Sequence, residues 1–214
     1  MRDAKSRLSI WRDVCLVGLV LLPAVALAHH PMGGGVPDSA WRGLLSGLGH
    51  PIIGLQHLFF ILAVAALAVM YPRRVGALTA VGFVFATLLG ATTHVLGFSF
   101  LLADSLVAIS LIVAGVMLAF LTGLRASTLV IMVTVSGLFH GHAYAEAIIG
   151  ATAAPILAYL LGFSLMHLLL ILGVAEVGRW AYVRMPGMGR RVLRLTGGCV
   201  ALVGAGVGGL LLFG

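Results

Sequence analysis

The stretch SGLFHGHAYAEAIIG, residues 136–150, lies in a strongly apolar chain and still places His140, His142, Tyr144 and Glu146 within two helical turns. Ionisable groups inside a membrane segment are costly, so by default they mark a functional site. At about 100° per residue, His142 and Glu146 share one helix face, and His140 and Tyr144 share another. His140 and His142 are about 200° apart, so a regular helix cannot aim both at one site. Gly137 and Gly141 loosen the helix there or admit a close neighbour. These residues point to a polar cavity that handles a metal cation, with further ligands supplied by the rest of the chain.

The surrounding composition decides the fold class. Of 214 residues, 61% are hydrophobic and only 9% charged, and the mean hydropathy is +1.17. Such a chain is an integral membrane protein with one compact domain. The 29 glycines and the lack of ten-residue alternating strands favour a helix bundle over a barrel. A net charge of +7 invites a nucleic-acid reading. That reading fails, because the arginines are scattered among loop positions and do not form a patch with interleaved aromatics. Cys15 in the leader and Cys199 in the last hydrophobic segment make no disulfide framework.

Residues 1–28 read as a cleaved signal peptide. Arg2, Lys5, Arg7 and Arg12 form the basic region, residues 14–22 the apolar region, and Ala26-Leu27-Ala28 the cleavage site. The mature chain then begins His29-His30-Pro31-Met32-Gly33-Gly34. A free α-amine beside histidine offers amine, amide and imidazole nitrogens at chelate spacing, which suits Ni, Co, Cu and Zn. Pro31 has no N–H and would stop the chelate there. Residues 29–49 thus form a histidine-containing arm and an interfacial lead-in, with Trp41 suited to the headgroup level.

Six transmembrane helices fill residues 50–214, at about 50–71, 76–98, 104–123, 127–149, 154–178 and 193–213, each near the ~20 residues a bilayer needs. With the mature N-terminus outside, the cytoplasmic turns carry Arg73, Arg74, Arg125, Arg179, Arg184, Arg190, Arg191 and Arg194, against Arg42 alone on the other side. This positive-inside bias agrees with the leader and puts both mature termini in the periplasm of an inner-membrane protein. The echo between SGLGH (46–50) and SGLFH (136–140) hints that segments 1–3 and 4–6 form an inverted repeat, as in many transporters.

The intramembrane polar groups gather toward one side. Segment 1 brings His50, Gln56 and His57, with the two histidines i, i+7 on one face, about 10 Å apart along the axis. Segment 2 ends near His94, segment 4 holds His140 to Glu146, and segment 5 carries His167 near mid-membrane. Glu176 has arginines nearby and reads as an ion pair. Several imidazoles with one carboxylate suit a borderline divalent ion such as Ni, Co or Zn. Hard ions would want more oxygen ligands. The scattered methionines read as core filler.

Taken together, the HHPMGG start (29–34), HPIIGLQH (50–57), FHGHAYAEAIIGA (139–151) and six spans after a signal peptide resemble the HupE/UreJ family, particularly its cyanobacterial-type branch. The resemblance implies a secondary permease for nickel or cobalt. It assigns His50, His57, His140 and Glu146 to the metal path, and His29 and His30 to an N-terminal metal arm. The family's first motif usually reads HPxxGxDH. Here Gln56 takes the acidic position, which keeps an oxygen ligand but loses a charge.

The reading is therefore a non-enzymatic permease taking up Ni²⁺ or Co²⁺ as substrate, with no permanently bound cofactor. His94, His142 and His167 extend the metal path. No nucleotide-binding GxxxxGK[ST] motif is present. Partners are the divalent metal ion and the bilayer, with no nucleic acid, and a homo-oligomer stays open. Protonation of the histidines would weaken binding at low pH. The same residues also admit an intramembrane zinc hydrolase with Glu146 as general base, or a bis-histidine haem protein.

Overall fold

The computed structural model describes residues 35–213, in which every element is helical. They are α1 (Ala40–Ile53), α2 (Leu55–Val69), α3 (Arg73–Val95), α4 (Ala103–Phe120), α5 (Ala126–Ala145) with a 3₁₀ turn (Glu146–Ile148), α6 (Ala153–Arg184) and α7 (Pro186–Phe213). The expected signal peptide and the His29–His30 arm lie outside the described residues.

Among the described residues five helices are long and apolar enough to cross a membrane, and α1 with α2, bent by 72° at their junction, makes a sixth where the pair is counted as one span. The break has a local cause. Pro51 lacks the N–H that would bond back to Gly47, and Gly54 turns extended at φ −73°, ψ 93°. A Cβ on Gly54 would press on the His57 ring and the His50 carbonyl. Only glycine lets the two histidine-bearing turns come so close.

Residues 38–49 are helical from Ala40 onward, where they form α1 and pack along α6. The straight 50–71 reading gives way to two helices broken at Gly54.

Three helix pairs build the bundle: α1 with α6, α3 with α5, and α4 with α7. Helix α2 lies between them and touches α1, α3, α4, α6 and α7. Its residues Phe60, Ile61 and Ala63 to Ala68 are all buried, as a helix apolar on every side must be. Large apolar side chains such as Phe85, Phe120 and Leu161 face outward, where hydrocarbon replaces water as solvent. Small residues fill the seams, since lipid gives helices no hydrophobic drive to associate and close approach must supply the attraction.

The seams repeat. On α1, Gly43 and Gly47 seat on the backbone of Pro155 and Tyr159, and Gly162 of α6 answers against Leu44 and Leu48. On α5, Gly137 and Gly141 seat on Phe83 and Thr87, and Gly90 of α3 answers against Leu138 and His142. In the third pair, Gly115 meets Gly197 and Ala201, while Gly204 meets Ala108 and Ile112. Exchanging crossings 1–3 for 4–6 maps this pairing onto itself. The internal repeat hinted at by the sequence is thus carried by packing, in a different register. Packing aligns Gly47 with Gly141, one helical turn from the alignment of the SGLGH and SGLFH echo.

At the far end of α2, Arg179 of α6 donates to Ala68 O at 2.7 Å and pairs with Glu176 at 2.6 Å. Arg73 pairs with the same carboxylate at 2.9 Å. The ion-pair reading of Glu176 holds.

Candidate functional site

The bend at Gly54 folds His50 back over His57, so their ring centroids lie 5.7 Å apart. A straight helix would have held them two turns apart. Helix α5 brings His140 to the same place, with its Nδ1 3.1 Å from His57 Nδ1. One turn later Tyr144 stacks on His57 at 4.1 Å and comes within 5.0 Å of His167 from α6. Phe60, Phe83 and Phe163 wall the cluster. His50, His57, His140 and His167 are all buried.

Hydrogen bonds orient these rings. Tyr159 of α6 donates to Tyr144 O at 2.8 Å, which uses the only hydrogen on its hydroxyl. Its contact with His50 Nδ1 at 2.9 Å must then be donated by the imidazole. The Tyr144 hydroxyl meets His167 Nε2 at 2.9 Å. On the other side of that ring, His167 Nδ1 is buried without a hydrogen-bond partner.

His142 points elsewhere, as its 200° offset from His140 requires. It stacks on His94 of α3, with centroids 3.7 Å apart. His94 Nδ1 donates to His142 O at 2.8 Å, and His142 Nε2 accepts from Phe100 N at 3.0 Å. The predicted histidines thus form a central tetrad and a separate lateral pair.

The α5 helix ends at Ala145, and Glu146 opens the 3₁₀ turn with an exposed side chain. Gln56 is half-buried beside the break. Asp38, Asp104, Glu146 and Glu176 are all exposed, so no carboxylate is buried among the described residues. Among these residues no group of three His, Cys, Asp or Glu side chains is placed to hold a metal ion at once.

What does converge is a pair. Metal–imidazole bonds of about 2.0–2.1 Å put neighbouring ligand nitrogens about 2.9–3.4 Å apart, and the His57–His140 separation falls in that range. Reading the sequence for histidines missed two residues, Tyr159 and Ser110, whose hydroxyls hold the rings. Their only signal was a polar atom inside an apolar span.

Comparison with known proteins bears on this arrangement. A family model described as HupE / UreJ protein matches residues 17–207. Protein HupE of Rhizobium leguminosarum bv. viciae is 28% identical over 184 residues, covering 86% of this chain and 90% of that one. No solved structure matches.

Proposed function

The chain belongs to the HupE/UreJ family, and from that membership and the buried histidine tetrad we propose that it is a secondary permease moving Ni²⁺ or Co²⁺ across the inner membrane. The family is associated with nickel and cobalt uptake. The observation that carries the reading is the His57–His140 pair, with Nδ1 atoms 3.1 Å apart at the centre of the bundle. A cation between them replaces the proton they now share, and His57 moves that proton to its other nitrogen or gives it up. Among the described residues no carboxylate is buried, which supports a cargo site over a resident one, because a site that must release its ion cannot hold it tightly.

In this proposal the mature N-terminus faces the periplasm, and His29 and His30 capture the ion. His94 and His142 then take it at the side of the bundle, and the tetrad of His50, His57, His140 and His167 carries it through the middle. Glu146, exposed at the end of α5, supplies negative charge to this path. Nothing in the comparisons supports the zinc-hydrolase alternative.

The test is uptake of radiolabelled Ni²⁺ and Co²⁺ by cells expressing the wild type, His57→Ala or His140→Ala at equal membrane levels. The proposal expects uptake of at least one metal by the wild type and none above background in either variant. Wild-type uptake in both variants sinks the site.

A further inference from the structure

Ser110 on α4 lies outside every histidine motif, yet its Oγ is 2.7 Å from Val107 O and 3.0 Å from His140 Nε2. A hydroxyl has one hydrogen, and a carbonyl oxygen only accepts. The Ser110 hydrogen therefore goes to Val107 O, and Ser110 Oγ accepts from His140. This puts the proton of the neutral His140 ring on Nε2 and the lone pair on Nδ1. Nδ1 is the atom that faces His57 at 3.1 Å, so His57 donates across that contact. One serine thereby fixes the direction of a chain of three hydrogen bonds.

We propose that Ser110 is a positioning residue for the transported cation, locking the His140 tautomer so that Nδ1 is the nitrogen offered beside His57. The role rests on the permease reading above. Without the serine acceptor, the His140 proton has no reason to stay on Nε2. Each molecule with the proton on Nδ1 would present an N–H where the cation must bind. Hydrogen-bond partners behind metal-binding histidines typically alter affinity or activity by about 10–100-fold. Ser110 also borders a crevice of about 320 Å³ between α4 and α5, lined by Ile109, Val113, Met132, Ser136 and Phe139. That space accepts the extra methyl of threonine, so Ser110→Thr keeps the hydroxyl without crowding.

Two measurements test this, with Ser110→Ala, Ser110→Thr and the wild type side by side in membranes. Solid-state ¹⁵N NMR of metal-free, ring-labelled protein reads the His140 tautomer, its signals identified by their loss in His140→Gln. The proposal expects the Nε2–H form in the wild type and Ser110→Thr, and its loss or mixing in Ser110→Ala. An Nδ1–H form in the wild type, or an unchanged tautomer in Ser110→Ala, overturns the hydrogen-bond assignment. Metal uptake then reads the consequence. The half-saturating concentration should rise about 10–100-fold in Ser110→Ala and return to the wild-type value in Ser110→Thr. Wild-type uptake by Ser110→Ala overturns the positioning role. Uptake of neither metal by the wild type, with the tautomer as expected, instead overturns the permease reading and the cargo role with it.

Discussion

Replacing Tyr159 by phenylalanine removes a single oxygen and leaves the ring, its stacking against Phe163 and its volume in place. The ring is fully buried, so no water enters to replace the oxygen. That oxygen receives the His50 Nδ1 proton and donates to Tyr144 O, tying α6 to both α1 and α5. A buried polar group stranded by mutation costs about 1–3 kcal/mol. His50 keeps its ring contacts with His57 and Tyr144, and Tyr144 O lies in the loosening last turn of α5. One full penalty, about 2 kcal/mol, is therefore the appropriate sum and not two. For a chain of this size it lowers the melting temperature by about 4–8 °C. The assay is thermal unfolding of the purified protein in detergent, followed by intrinsic fluorescence, for wild type and Tyr159→Phe in parallel. Because His50 loses one of the groups that orient it, metal uptake should weaken as well. A melting temperature within about 1 °C of wild type, with uptake unchanged, would refute the bridging role of this hydroxyl.

Four further outcomes follow from the packing and the hydrogen bonds. Gly141→Ala places a Cβ against the Thr87 backbone, which cannot swing aside as a side chain can. It should cost at the upper end of the about 1–3 kcal/mol typical of overpacking, read as a lower melting temperature and a smaller folded yield. Arg179→Met removes the bond to Ala68 O, a charged hydrogen bond worth about 1.5–3 kcal/mol, and should lower the melting temperature. Arg73→Met, at a side chain 76% exposed, should leave it unchanged. His142→Ala disturbs the lateral pair and releases Phe100 N but leaves the tetrad intact, so uptake should fall in part, whereas His140→Ala abolishes it.

The glycine seams explain why an internal repeat was visible in the sequence but misregistered. SGLGH and SGLFH share letters, and letters align wherever glycine and leucine are common. Backbone contact is stricter. It aligns Gly43 with Gly137 and Gly47 with Gly141, each of which places a missing side chain where a neighbouring carbonyl sits. In that register His50 corresponds to Tyr144 and Ser46 to His140. The two halves share their packing but differ in the polar groups they bring to the centre.

The sequence by itself determined the membrane class, the approximate positions of the crossings and the separation of His140 from His142. Each is set by local quantities: mean hydropathy, the length needed to cross hydrocarbon, and the 3.6-residue turn. The family was legible too, because its motifs are short and contiguous. Tertiary structure decided which groups meet. The 72° bend at Gly54 brought His50 onto His57, which a helical wheel drawn through residues 50–57 could not show. The end of α5 at Ala145 took Glu146 out of the regular helical register in which it shares a face with His142. Ser110 and Tyr159 joined the site from α4 and α6, each carrying one hydroxyl in an apolar span. A hydroxyl's role depends on what lies within about 3 Å of it, and that distance is fixed only when the helices pack.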